Sequence, residues 1–166
     1  MPTLPHSICP RMRGRQCSAA DMGVQLAMYK GKGDLFNRLI RWWTGSQYSH
    51  CELVVRGTCY SSSIRDGGVR GKAMALPAHS WEIIDLPWAD PQMVQGWFDR
   101  HAADRYGWID LVLCQLLGMR RDGRGVFCSE ACAAALKLPN PTRFSPQTLA
   151  DECRYIGRHT VFILRT

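Results

Sequence analysis

Residues 125–136 read Gly125-Val126-Phe127-Cys128-Ser129-Glu130-Ala131-Cys132-Ala133-Ala134-Ala135-Leu136. Alanine favours helix and permits close packing, and Pro139 stops a helix soon after Leu138. The pattern therefore predicts a buried helix that begins at Cys128. The unpaired N–H groups and the positive dipole end of a first turn favour a thiolate over a thiol. Cys128 is the candidate nucleophile, and the alternative is a small core side chain.

The composition is typical of one globular domain. The chain has 166 residues, of which 46% are hydrophobic and 10% aromatic. We expect residues 1–22, which mix Pro, Arg and Ser without periodicity, to be a flexible N-terminal arm before a single domain over 23–166. The best apolar run, Ile109 to Leu117, is too short to span a bilayer, and no hydrophobic signal segment is evident. A protein that is cytoplasmic when synthesised is expected.

The charge and the cysteines exclude some functions and leave others open. A net charge of +7 suits polyanions such as nucleic acid, anionic lipid or bacterial wall polymer, but it does not choose among them. There is no zinc finger or phosphate-binding glycine loop, so specific nucleic-acid recognition is not expected. The eight cysteines include no Cys-x-x-Cys, and no histidine is near Cys128 or Cys132 in the sequence. We therefore expect mostly reduced thiols, no metal and no cofactor.

Hydrophobic periodicity predicts an α+β fold, with an antiparallel sheet of about five or six strands packed against helices. The predicted strands are Val24–Tyr29, Gln47–Val55, Thr58–Ile64, Val69–Lys72, Trp81–Leu86 and His159–Leu164. Besides the helix at Cys128, the predicted helices start at Asp34, Asp90-Pro91, Ile109 and Ser145-Pro146, the last of them running to about Cys153.

The strand before the Arg56-Gly57 turn carries the candidate base. Side chains alternate along a strand, so His50 and Glu52 share a face. A two-residue turn would favour Ser61 and Ser63 as their partners on the returning strand, and a three-residue turn would favour Ser62. Glu52 is then either a functional partner of His50 or a solvated surface group.

A histidine and a cysteine at a helix start can together perform thiol-based nucleophilic catalysis. His50 would take the thiol proton of Cys128 or stabilise its thiolate as an ion pair. A third polar group would orient the imidazole, and helix N–H groups would hold the oxyanion. The alternative for His50 alone is a satisfied, partly buried histidine.

Several motifs resemble the circularly permuted branch of the NlpC-type papain-like cysteine peptidases, which includes YiiX-like proteins and is related to lecithin:retinol acyltransferase. They lie between residue 23 and about residue 136, and comprise Gly33-Asp34, Tyr48-Ser49-His50-x-x-Leu53-Val54, Gly68-Val69, Tyr106-Gly107-Trp108 and Phe127-Cys128-Ser129-Glu130. In ordinary members the cysteine precedes the histidine. The reversed order here is what the permutation implies.

The resemblance implies that residues 23–166 form a permuted papain-like hydrolase domain with Cys128 as nucleophile and His50 as base. It places the third polar group near Ser62. The sequence departs from the family there, since it offers serines instead of a histidine or glutamate, and it has Glu52 where relatives commonly have glycine. A serine hydroxyl cannot stabilise an imidazolium as a carboxylate does.

The function implied by the resemblance is hydrolysis of a peptide or amide bond, with bacterial wall peptide as the candidate substrate. One alternative is a lipid acyltransferase or thioesterase on the same dyad, with an apolar acyl site at Leu35, Trp42 and Trp43. Another is a non-catalytic module that binds a peptide or polyanion. The candidate substrate-binding residues are Tyr48, Trp43, Tyr106 and Ser129.

Overall fold

A computed structural model describes residues 23–31, 38, 41, 42, 45–63, 65–102 and 127–163. Over these residues the fold is α+β, with one antiparallel sheet of five strands packed with three helices, which confirms the predicted fold class. Several predictions lie outside the described residues. They are the arm over 1–22, most of the helix from Asp34 with Leu35 and Trp43, Tyr106, and the apolar helix Ile109 to Leu117.

The five strands form a sheet in the order β4-β3-β2-β1-β5, and every neighbouring pair is antiparallel. Strand β2 is the middle strand of the five, and β1 pairs with β2 on one side and with the edge strand β5 on the other. The strands are β1 (Val24–Tyr29), β2 (His50–Val55), β3 (Thr58–Ser63), β4 (Gly68–Lys72) and β5 (Trp81–Leu86).

The hairpin between β2 and β3 has a two-residue turn. Val55 pairs with Thr58, so only Arg56 and Gly57 lie between the strands. Both have positive φ, 50° and 78°, as a type I′ turn requires. This is the first of the two turn lengths that the sequence left open. It fixes which β3 side chains share a face with His50.

Three helices complete the described part of the chain: α1 (Pro91–Arg100), α2 (Cys128–Ala135) and α3 (Pro146–Ile163), with a short 3₁₀ turn at Pro141–Arg143 between the last two. The core lies between the helices and one face of the sheet. That face presents Leu26, Met28 and Leu53, against which Val94 of α1 and Leu149 of α3 are buried. Among the described helices, none has the length and hydropathy needed to cross a bilayer.

The predicted C-terminal strand is wrong, because α3 continues as a helix to Ile163. The run from His159 is rich in β-branched and aromatic residues, which favour strands when local propensity alone is considered. Intrahelical contacts override that propensity: Thr160 Oγ1 donates to the carbonyl of Ile156 at 2.9 Å, one turn earlier. The predicted end near Cys153 is therefore about ten residues too early.

Candidate active site

The thiol of Cys128 lies at the first position of α2, as the sequence predicts. Phe127 is the N-cap residue in extended conformation, and its backbone N–H donates to the Glu130 carboxylate at 3.4 Å. The helix start is therefore well defined, and the Cys128 side chain at its first position is buried. The helix ends at Ala135, slightly before the predicted limit, because Lys137 adopts a left-handed conformation with φ of 56°.

Small side chains bring α2 close to the sheet. Ala131 and Ala135 are buried, and α2 packs against β2 and β3. The sulfur of Cys132 lies 3.9 Å from that of Cys51 on β2. Larger residues would push the helix away from β2. The alanine-rich sequence thus sets the distance between the candidate nucleophile and the strand that carries the candidate base.

The imidazole of His50 stands at the beginning of β2 between two acidic partners. Its Nε2 lies 3.1 Å from Oε1 of Glu52, two residues along the strand. Because Glu52 occupies Nε2, Nδ1 is the ring nitrogen left to exchange a proton with Cys128. The ring meets the edge of Trp81 at a centroid distance of 6.4 Å, and 23% of the side chain is exposed. The base is therefore held but not sealed from solvent.

The sulfur of Cys128 and the imidazole form an acid–base pair. A hydrogen bond with the Cys51 thiol, together with the charge and hydrogen bond of His50, holds the pKa of Cys128 well below its ordinary value, although burial opposes this. Burial also works against a charged imidazole. The negative charge and hydrogen bonding of Cys128 and Glu52 outweigh it and raise the pKa of His50 to about 10. The favoured state is thiolate and imidazolium.

The carboxylate of Glu52 is buried, with 1% of the residue exposed, so its interpretation as a solvated surface group is wrong. Arg70 of β4 binds it with a two-pronged contact, at 2.7 Å from Nη1 to Oε2 and 2.6 Å from Nη2 to Oε1. Burial alone would raise the pKa of Glu52. The hydrogen bonds of Arg70 and His50 lower it overall. Glu52 is therefore an ionised group that can orient and stabilise the imidazolium.

A second thiol supports the candidate nucleophile. Burial and hydrogen bonds with Cys128 and Cys132 raise the pKa of Cys51 well above its ordinary value. Cys51 therefore stays protonated where Cys128 is a thiolate, and it can donate its proton towards that sulfur. The five described cysteines are all free.

The serines of β3 are placed by the hairpin register. Leu53 pairs with Tyr60, so by alternation Ser62 lies on the Leu53 face. Ser61 lies on the face of Glu52, and its hydroxyl donates to the carbonyl of Cys51 at 2.7 Å. Glu52 is the residue in contact with Nε2 of His50. A catalytic role for Ser62 stays a prediction.

The candidate substrate-binding residues have different surroundings. Tyr48 is buried, and its hydroxyl donates to Glu82 and accepts from Arg154 and Gln47, which uses its full hydrogen-bonding capacity. The hydroxyl of Ser129 donates to the carbonyl of Phe144 at 2.6 Å, which ties α2 to the segment before α3. Their roles in substrate binding stay predictions. Trp43 and Tyr106 are outside the described residues.

Sequence reasoning missed Arg70 and Cys51 as parts of this site. Both lie in segments that were predicted as strands, but a strand pattern alone does not tell which strands are neighbours. Arg70 pairs with Ser61, so it shares the face of Glu52 once the order β2-β3-β4 is known. A charged residue in the interior of a strand was the available signal.

No group of three or more His, Cys, Asp or Glu side chains is arranged to hold a metal ion in the part of the chain that the structure describes. No protein-family model matches the sequence, and no curated protein shows significant similarity to it.

Proposed function

We propose that this protein is a cysteine hydrolase that cleaves an amide bond, with Cys128 as nucleophile, His50 as base and Glu52 as the group that orients the imidazole. The observation that carries the proposal is the Cys128–His50–Glu52 arrangement at the start of a buried helix. The motifs shared with the permuted NlpC-type peptidases favour a peptide substrate. Bacterial wall peptide is the substrate class that this resemblance implies.

In the acylation step the Cys128 thiolate attacks the carbonyl carbon and forms a carbon–sulfur bond. The electron pair of the carbonyl moves to its oxygen, and the first N–H groups of α2 stabilise the resulting oxyanion. The carbon–nitrogen bond then breaks, and the amine leaves with the proton of the His50 imidazolium. A thioester on Cys128 and a neutral imidazole remain.

In the deacylation step His50 accepts a proton from water, which attacks the thioester carbonyl. Breaking the carbon–sulfur bond releases the acid product and restores the thiolate and imidazolium. Glu52 stays ionised throughout, because Arg70 and His50 hold its pKa low. Its charge offsets the positive charge that returns to the imidazole at the end of the cycle.

A lipid acyl substrate is the second candidate, because the same dyad would form the same thioester from an acyl ester. The observation that favours it is the exposed Trp42, one of the three residues predicted to make an acyl site. Turnover that increases with acyl-chain length would favour this candidate. Preference for a peptide amide over a lipid ester would favour the first.

The test of the shared chemistry is the pH dependence of iodoacetamide alkylation at each cysteine, mapped by mass spectrometry. We expect Cys128 to react well below pH 8 and to lose that reactivity in His50→Ala. Cys153 is a buried cysteine on α3 and provides the internal reference. If Cys128 reacts no faster than Cys153 at pH 6, the catalytic proposal fails and the protein is better studied as a binding module.

A further inference from the structure

Arg70 connects the candidate active site to charges at the β4 edge of the sheet. It lies on β4, while its partner Glu52 lies on β2, so its side chain must cross β3. The residue that it crosses is Ser61, with which Arg70 is paired in the ladder. A serine leaves room for the guanidinium, which also donates to the carbonyl of Cys59 at 3.2 Å.

The guanidinium of Arg70 is fixed on both sides. Its two terminal nitrogens bind both oxygens of Glu52, and its Nε donates to Asp66 at 2.7 Å. Asp66 in turn accepts two hydrogen bonds of 2.8 Å from Lys72. Arginine can make this planar, two-pronged contact, whereas lysine cannot. The direction in which Glu52 faces His50 is therefore set by Arg70.

The charges along this network alternate in sign. From the nucleophile outward they are the Cys128 thiolate, the His50 imidazolium, then Glu52, Arg70, Asp66 and Lys72. Removing Arg70 would leave a buried excess of negative charge. If Glu52 took up a proton, His50 would lose its carboxylate partner. If Glu52 stayed ionised, its uncompensated charge would disfavour the thiolate. In either case the pKa of Cys128 rises.

We propose that Arg70 is a positioning residue of this site: by clamping Glu52 it keeps the proton on His50 and the negative charge on Cys128. The inference rests on the proposed function. The other titratable groups near this pair are Cys51 of β2, which hydrogen-bonds Cys128, and, in the same helix as Cys128, Glu130 in the first turn and Cys132. Arg70 binds none of these three groups. Substituting Arg70 therefore changes the protonation of the Cys128 sulfur through Glu52.

The experiment measures the pH profile of Cys128 alkylation by iodoacetamide in the wild type, Arg70→Met and Arg70→Lys. We expect the acid limb in Arg70→Met to move up by about one pH unit, so that at a pH on the acid limb of both proteins the rate falls about tenfold. Arg70→Lys keeps the charge without the two-pronged contact, and we expect an intermediate shift. Arg154→Met is the matched control, because Arg154 also binds a glutamate on a strand but contacts Glu82 and Tyr48.

A double-mutant cycle tests whether Arg70 acts through Glu52. The double variant Glu52→Gln/Arg70→Met removes both charges of the buried pair. It can therefore be measured even if Arg70→Met alone does not fold. We expect the double variant to match Glu52→Gln, since Arg70 has no further effect once the carboxylate is gone. Equal effects of Arg70→Met in both backgrounds would overturn the inference.

The two proposals fail differently. A folded Arg70→Met protein with lower thermal stability and an unchanged alkylation profile would make Arg70 purely structural, and the proposed function would stand. A wild-type Cys128 that reacts only near its unperturbed pKa would remove the proposed function, and the role of Arg70 with it.

Discussion

Replacing Glu52 with glutamine should destabilise the protein far more than the same change at Glu82. Both glutamates lie on strands and bind an arginine, but they differ in burial. The side chain of Glu52 is 1% exposed, whereas that of Glu82 is 36% exposed. Glutamine preserves the shape in each case and removes only the charge.

The expected loss of stability follows from the arginine that Glu52→Gln leaves without its buried partner. Glu52→Gln leaves the Arg70 guanidinium, only 14% exposed, with Asp66 as its remaining carboxylate. Removing one partner of a buried pair costs about 3–5 kcal/mol, and the retained Asp66 argues for the lower end, about 3 kcal/mol. In a chain of this size that corresponds to a fall in Tm of about 6–12 °C. Glu82→Gln should cost at most about 1 kcal/mol, as an exposed pair does.

The assay is urea unfolding at pH 7, repeated at acid pH. The pKa of Glu52 is lower in the folded state than in the unfolded state, where it is about 4.3. Its stabilisation is therefore fully present above about pH 5 and is lost as the pH falls. The difference in the free energy of unfolding between the wild type and Glu52→Gln should therefore be smaller at pH 3 than at pH 7. Equal losses for the two variants at pH 7 would refute the argument that burial makes the Glu52–Arg70 pair strong.

Three further predictions concern single side chains. Cys51→Ala should raise the pH at which Cys128 becomes reactive to iodoacetamide, because the thiolate loses a hydrogen-bond donor; Cys153→Ala should leave that profile unchanged. Gly57→Ala should lower the free energy of unfolding in urea by about 1 kcal/mol. The φ of 78° at this position strains a residue with a side chain, and the added methyl group would make no contact that compensates for the strain. Gly157→Ala should increase the free energy of unfolding by up to about 1 kcal/mol, because open space surrounds a glycine inside α3; a decrease would contradict a helix at that position.

Local patterns in the sequence were sufficient to predict the strand that carries His50 and the helix that begins at Cys128. The alternation around His50 identified β2, and the alanines after Cys128 identified α2 with its first residue. Both signals are short in range and depend on side-chain period and helix propensity. The Arg56-Gly57 pair also marked the hairpin turn, although its length came only from the register.

The remaining features depend on long-range pairing. Glu52 could be placed beside His50 from the alternation, but its burial depends on Arg70, which arrives from a strand two positions away in the sheet. A strand pattern carries no information about such neighbours. The helical state of the segment from His159 likewise depends on contacts within a long helix, which outweigh the β preference of its residues.

The close contact between α2 and β2 has a consequence for folding. The sulfurs of Cys51 and Cys132 are 3.9 Å apart although 81 residues separate them in the chain. A contact of such sequence separation forms only when the entropy cost of closing a long loop is overcome, and proteins rich in such contacts fold slowly. The environment that distinguishes Cys128 from an ordinary thiol therefore exists only when the helix has docked on the sheet. Selective labelling of Cys128 would serve as a kinetic probe of that docking step during refolding.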